Sequence, residues 1–232
     1  MVAKIRTISR LTAAAATVYL ASPPAIADDT GFYVGANVGR VLRTYRLTDL
    51  DNGVITAFGG TNSGLVLSST SLRKDRVMWT ADVGYMASRN FAIEASYLHL
   101  GSLAYSSSGT LTPSGGSTTS AVSSNLDIKS RGPALAVLGV LPMSNWWEID
   151  ARLGAYEGKT TTTYTTTVDV NTRSGTLSKT STSILAGLGT ALTVSSHCNL
   201  RVDYMRLESL KEQALSRSFN VDLVTAGVVF VF

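Results

Sequence analysis

Apolar residues alternate with polar or small residues in eight separate segments of this chain. Such alternation is typical of a β-strand with two unlike faces, and each segment, at about 9–13 residues, is long enough to cross a bilayer as a tilted strand. In the fourth segment Pro133 interrupts the pattern, so the parity of its two faces stays open. The segments cover residues 32–41, 76–85, 91–100, 129–141, 147–158, 183–194, 199–207 and 222–232.

The connections between the segments predict how they are arranged. After residue 27 no apolar run of about 18 residues could form a membrane-spanning helix. Short links therefore suggest periplasmic turns and long links suggest extracellular loops, which predicts an all-β, eight-stranded antiparallel up-and-down transmembrane barrel. A soluble sandwich would use shorter strands and loops of similar length at both ends. The short links are 86–90, 142–146 and 195–198; the long ones are 42–75, 101–128 and 159–182, with 208–221 intermediate.

The first 27 residues predict a cleaved secretory signal peptide. Lys4, Arg6 and Arg10 form a basic start, the run 11–21 is apolar but too short to span a bilayer, and Ala25-Ile26-Ala27 is a small-residue cleavage site. We therefore expect residues 28–232 to form one outer-membrane β-barrel domain.

Charge and cysteine content exclude several classes of function. Three of the 20 basic residues lie in the leader, which leaves 17 against 16 acidic residues, a net charge of +1. Nothing in that balance indicates a nucleic-acid partner. With two histidines and the single thiol of Cys198, no metal site, disulfide or cofactor is expected, and a shielded turn position is favoured for Cys198 over a reactive one.

The alternation places several charged residues on the inner face of the barrel. An eight-stranded interior is just wide enough for side chains to fill, so charges inside it must pair with one another. We predict a network centred on Glu94 with the two arginines. A plug is favoured over a switchable gate for a narrow pore, because the interior is filled. The predicted inward residues are Asp82, Glu94, Glu148, Asp150, Arg152, Arg201 and Asp203.

The long links are rich in serine, threonine and glycine, as in residues 106–125 and 160–183. Such composition favours solvated loops over a core. The threonine runs also have β-propensity, so the third long link could extend the strands on either side of it.

Five stretches give the chain a family resemblance. It resembles the OmpA-like eight-stranded outer-membrane barrels, including the opacity-type surface proteins, over the whole segment after the leader. The resemblance implies a bacterial outer-membrane location and lipopolysaccharide as a neighbour. It also implies that OmpA's additional peptidoglycan-binding domain is missing here, because the sequence ends with the barrel. The stretches are GFYVGANVGR, VGYMASRNFAIEASYLHLG, WEIDARLGAY, NLRVDYMRL and DLVTAGVVFVF.

The resemblance also suggests roles for individual residues. Glu94, Arg152 and Arg201 match OmpA's interior glutamate and arginines, while Val137 and Ala191 stand where OmpA has a further lysine and glutamate. The last strand resembles the signal that the outer-membrane assembly machinery recognises. That signal would consist of Val224, Val228, Phe230 and Phe232.

Three functions follow as candidates. The favoured one is a non-enzymatic surface protein whose loops contact lipopolysaccharide, host molecules or neighbouring cells. A narrow pore for small solutes is the alternative. A lipid A hydrolase is the third, because His99 lies near Ser96 and Ser102 at the outer end of a strand, although a rim histidine is the simpler interpretation.

Overall fold

A computed structural model describes residues 30–43, 47–57, 64–75, 77–112, 118–212 and 217–232. The predicted signal peptide, residues 1–27, and its cleavage site lie outside these ranges, as does Arg76 at the start of the second predicted strand. Within them, no helix is long and apolar enough to cross a membrane.

The described chain is almost entirely antiparallel strand, with one helix between the first two strands. The elements are β1 (Gly31–Arg43), α1 (Leu47–Ala57), β2 (Leu65–Asp75), β3 (Val77–Ser88), β4 (Phe91–Leu111), β5 (Ser120–Pro142), β6 (Trp147–Val168), β7 (Asn171–Ser195), β8 (Cys198–Glu212) and β9 (Arg217–Val231).

The strands close into a ring of eight, as the sequence predicts. Strand β1 pairs with β3 on one side and with β9 on the other, and the remaining neighbours follow chain order to β8. Strand β2 continues the line of β3 and pairs with the outer half of β4, so it is not a ninth position in the ring. Closure removes the open edges that lipid could not satisfy.

The alternation gives the barrel an apolar outer surface. Leu135, Leu153 and Leu188 face outward and are 60–64% exposed, whereas inward Met78 is fully buried. Aromatic rings mark both ends of this surface. Phe32 and Tyr85 lie 4.9 Å apart at the end with short turns, and other aromatic residues lie at the opposite end. This is the aromatic-belt arrangement of membrane barrels.

Four strands are much longer than a membrane crossing requires. Strands β4 to β7 have 21–25 residues, against about 9–11 for a tilted crossing. We call the excess the outer extension: β2 and residues 102–111, 120–131, 159–168 and 171–182. It is an open sheet of five strands, because the pairing of β7 with β8 stops at Ile184 and Glu208.

The outer extension corrects the expectation of plain solvated loops at residues 101–128 and 159–182. The described residues of both segments continue the hydrogen-bonded ladder, so the strand-extension alternative applies to the third long link and to the second as well. The reason is that the extension has a core of its own. Its inner face buries an apolar cluster against the helix, formed by Leu50, Val54, Leu65, Leu103, Tyr105, Val122 and Ile128.

Candidate functional site

Six charged side chains meet in the barrel lumen, and we call them the lumen cluster. All six are buried, with residue exposures of 1–5%. They come from β3, β4, β6 and β8, where the period of two directs each of them inward. They are Asp82, Glu94, Asp150, Arg152, Arg201 and Asp203.

Arg152 holds one half of the cluster together. Its Nη1 donates to Glu94 Oε1 at 3.2 Å. Its Nη2 donates to Asp203 Oδ1 at 2.7 Å and to Asp150 Oδ1 at 3.2 Å. One guanidinium thus bridges strands β4, β6 and β8.

Arg201 holds the other half. Its Nη1 donates to Glu94 Oε2 at 2.6 Å, and its Nη2 donates to Asp82 Oδ2 at 2.8 Å. Glu94 therefore gives one oxygen to each arginine and stands at the centre. Charge-assisted bonds of this kind are the stronger class of protein hydrogen bond.

Neutral donors complete the lumen cluster, and the sequence analysis did not single them out. The Tyr33 hydroxyl donates to Glu94 Oε2 at 3.0 Å. Asn37 Nδ2 donates to Asp82 Oδ2 at 2.5 Å and to Thr80 Oγ1 at 2.9 Å. The available signal was their parity, because Tyr33 and Asn37 lie on the same face of β1 and are both buried.

Glu148, the seventh predicted inward charge, lies closer to the short turns. It lines a mostly apolar cavity toward the short-turn end of the lumen, together with Asp150 and Arg201. The cluster therefore closes the lumen above this cavity with a layer of paired side chains.

The assignment of Val137 to the lumen is wrong. Val137 is 44% exposed and lies on the outer face, while Ala136 and Leu138 on either side are buried. Pro133 also points outward, so the ambiguity at this strand resolves with odd-numbered residues outside. Ala191, by contrast, is buried in the lumen.

The geometry around His99 does not assemble a hydrolase. Its ring stacks on Trp79 at a centroid distance of 5.6 Å, and its Nδ1 accepts a hydrogen bond from the Gly101 amide. Ser96 donates instead to Glu94 on the inner side of the wall, at 3.4 Å. Among the described residues, no serine or carboxylate is hydrogen-bonded to His99, as an activated nucleophile would require.

The predicted assembly signal lies on the closing strand. Phe230 and Phe232 are 50% and 78% exposed on the outer face, and the Phe232 amide donates to the Phe32 carbonyl at 3.0 Å. Val224 and Val228 share that face. Recognition of these residues by the assembly machinery stays a prediction.

Helix α1 covers the inner face of the outer extension. Leu50 and Val54 are buried against it, and the Tyr105 hydroxyl donates to Asp51 Oδ1 at 2.6 Å. Burial, and then the hydrogen bond to Asp51, raises the pKa of Tyr105 well above its ordinary value. The phenol therefore stays protonated as a donor through the neutral range.

Replacing Tyr105 with phenylalanine is expected to loosen α1. A hydrogen bond to a charged group contributes about 1.5–3 kcal/mol, so amide exchange in residues 47–57 should accelerate by roughly tenfold or more. Because the pKa of Tyr105 is raised, this contribution is fully present below pH of about 10 and is lost as pH rises further. Unchanged exchange would show that the hydrogen bond from Tyr105 to Asp51 does not hold α1 in place. Tyr164→Phe is the matched control, because its hydroxyl has no hydrogen-bond partner among the described residues.

The outward face of the extension is a ladder of hydroxyl groups. Cross-strand pairs on β6 and β7 lie within hydrogen-bond distance of each other: Thr161 with Ser178 at 3.2 Å, and Thr167 with Thr172 at 3.0 Å. At the tip, Asp169 Oδ1 accepts from the Ala121 amide of β5 at 2.9 Å. The surface is thus polar and also held in a fixed register.

Comparison with known proteins decides the family. The model of the OmpA-like transmembrane domain matches residues 27–232. The chain belongs to this family. As an OmpA-like barrel, it is a protein of the bacterial outer membrane. The short turns are then periplasmic and the outer extension faces the cell exterior.

Solved structures of low sequence identity also resemble the OmpA-like barrel. Ail, the attachment invasion locus protein of Yersinia pestis, in complex with the heparin analogue sucrose octasulfate, is 12% identical, with a TM-score of 0.44 over 88% of this chain and 97% of that one. Neisserial surface protein A is 13% identical, with a TM-score of 0.44 over 88% and 100%. OprG of Pseudomonas aeruginosa is 13% identical, with a TM-score of 0.38 over 87% and 93%. No curated protein matches.

Proposed function

We propose that this OmpA-like barrel is a non-enzymatic surface-interaction protein, with the outer extension as its working surface. The observation that carries the proposal is that strands β4 to β7 rise well beyond the length of a membrane crossing as one registered sheet. About ten surplus residues per strand correspond to roughly 33 Å of extended chain. The tip of the outer extension would therefore stand clear of the lipid surface.

The chemistry of the outer extension supports a hydrogen-bonding ligand on a host or neighbouring cell. Its outward side chains are hydroxyls arranged in cross-strand pairs, as at Thr163 and Thr176. Hydroxyls both donate and accept hydrogen bonds. The sheet and its buried core hold them in place, so binding would order few side chains and would cost little conformational entropy.

Two further partners are proposed on other surfaces. The assembly machinery would recognise the closing strand through Val224, Val228, Phe230 and Phe232, which share its outer face. Lipopolysaccharide would surround the outer rim, where Trp79 and Tyr97 lie with ring centroids 5.9 Å apart. Aromatic pairs of this kind are typical of the membrane interface.

Shortening the β6–β7 hairpin tests the surface role. Thr162 and Leu177 are cross-strand partners, so residues 163–176 can be replaced by Asn-Gly, which favours a two-residue hairpin turn. Adhesion of cells expressing this variant, both to host cells and to one another, should fall to the level of cells without the protein. Heat-modifiable migration of the purified variant shows that the barrel still folds. Full adhesion by a folded, surface-displayed variant would disprove the proposal.

The narrow-pore alternative makes a different prediction about conductance. Because the lumen cluster lies across the barrel with every member buried, the wild-type protein should carry negligible current in planar bilayers. A reproducible single-channel current that changes in Glu94→Ala would support the pore in place of the plug.

A further inference from the structure

The apolar outer surface of β5 and β6 ends in three cations. Going outward along β5, Leu135 and Pro133 are followed on the same face by Arg131 and Lys129. On β6 the exposed residue at the same height is Lys159, which is the cross-strand partner of Arg131. We call Lys129, Arg131 and Lys159 the cationic patch.

The patch places like charges directly opposite each other. Cross-strand partners on one face have Cβ atoms only about 4.5–5.5 Å apart, and like charges in that position destabilise a sheet. Lys129 is paired with Asp127 at 3.4 Å. Arg131 and Lys159 form no ion pair with any residue in the described ranges, although exposed Glu157 lies two residues below Lys159.

A cation elsewhere on the outer surface shows the contrast. Arg206 of β8 also faces outward, but its Nε lies 3.4 Å from Glu208 and its Nη1 lies 3.9 Å from Asp222. The chain supplies carboxylates there and does not supply one between Arg131 and Lys159. An external anion would compensate the repulsion in the patch.

The depth of the patch indicates which anion is available. His99, the other cross-strand neighbour of Arg131, stacks on Trp79, and Tyr97 pairs with Pro133. Tryptophan and tyrosine of membrane proteins concentrate at the level of the lipid headgroups. On the exterior side of the outer membrane, the headgroups at that level are phosphorylated saccharides.

We propose that Arg131 and Lys159, with Lys129 beside them, bind a phosphate group of the lipid A portion of lipopolysaccharide. Arg131 would donate a planar pair of N–H groups to phosphate oxygens, and Lys159 would add a point charge. The site deepens the lipopolysaccharide contact proposed above by naming the residues and the headgroup chemistry. The site lies at the base of the outer extension and outside residues 163–176, whose removal tests the adhesion proposal, so adhesion can persist or fail without it.

Binding to purified barrel in detergent micelles tests the site. Bisphosphorylated lipid A is titrated against the wild type, and the tryptophan fluorescence change is recorded alongside an independent binding measurement. Losing two charge-assisted contacts in the Arg131→Gln, Lys159→Gln double variant should weaken binding by about tenfold or more. The matched control, Arg206→Gln, should bind as the wild type does. Equal weakening in both variants, or in neither, would overturn the assignment.

Two further measurements distinguish a lipid A phosphate from free phosphate. They also distinguish failure of this residue assignment from failure of the proposed lipopolysaccharide contact. Dephosphorylated lipid A should bind at least about tenfold more weakly to the wild type, and inorganic phosphate at matching concentration should not displace bisphosphorylated lipid A. The opposite result in either measurement would overturn the lipid A assignment. If the wild type binds lipid A and the double variant retains that binding, the assignment to Arg131 and Lys159 is disproved, while the proposed lipopolysaccharide contact is not.

The substitution Lys159→Glu is expected to change lipid A binding and barrel stability in opposite directions. It puts a carboxylate opposite Arg131, as Glu208 and Asp222 already surround Arg206, and should abolish lipid A binding. In the absence of lipid A it should also raise the heat-modification temperature above that of the wild type, because an attractive cross-strand pair replaces a repulsive one. A lowered temperature would contradict the repulsion on which the proposal rests.

Discussion

Glu94→Ala is expected to destabilise the barrel by about 3–5 kcal/mol, the usual cost of removing one partner from a buried ion pair. The reason is specific to this position. Glu94 accepts from Arg152 through one oxygen and from Arg201 through the other, at 3.2 and 2.6 Å. Its loss leaves both guanidinium groups short of a partner and also removes the acceptor of the Tyr33 hydroxyl.

Urea unfolding of the refolded protein in lipid vesicles measures this loss directly. Glu157→Ala is the control, because Glu157 is an exposed outward glutamate and should change stability by less than about 0.5 kcal/mol. A double-mutant cycle with Arg201→Ala then gives the coupling within the lumen cluster. If Glu94→Ala unfolds at the same urea concentration as the wild type, the lumen cluster does not contribute to stability as described.

Gly227→Val should prevent efficient closure of the barrel. Gly227 lies in β9 opposite Asn37 of β1, at the seam between the first and last strands. A Cβ added at Gly227 would lie 2.6 Å from Asn37 Cα and closer still to the Ala36 carbonyl oxygen. Backbone atoms cannot yield as a flexible side chain can, so we expect a cost of about 3 kcal/mol, at the upper end for overpacking.

The folded fraction seen as heat-modifiable migration should fall sharply in this variant. Gly139→Val is the matched control, because a Cβ at Gly139 meets no atom within 4 Å. It adds the same side chain on the lipid-facing surface of β5 and should fold as the wild type does. Equal folding of the two variants would mean that the seam tolerates a side chain at residue 227.

The strands and the inward charges could be predicted from sequence because membrane and lumen impose opposite requirements on alternate residues. A charge facing mid-membrane lipid costs about 2–4 kcal/mol for arginine or lysine, so Arg152 and Arg201 could face only inward. The same argument does not decide which face of β5 points inward around Pro133. That strand is mostly apolar on both faces, and the wrong inward residue was chosen at Val137.

The outer extension was harder to predict for a physical reason. Serine and threonine repeats have no apolar periodicity to separate a solvated loop from a strand exposed on one face. Only sparse signals were present. Leu47, Leu50 and Val54 have the spacing of a helix face, and Leu65 and Leu67 alternate at the start of β2. These residues acquire a buried environment only when α1, β2, β4 and β5 come together, so no single segment could reveal it.

Because the strands of the outer extension pair residue by residue, the distance that this protein projects above the cell can change without a change in the membrane-embedded barrel. Residues of β6 and β7 are matched one to one up to Val168 and Asn171. Adding or removing equal numbers of residues at the tip would change how far the outer extension projects without altering a pair below it. A lineage can therefore adjust the reach of such a protein past a thicker or thinner coat of surface sugars while the membrane-embedded part stays the same.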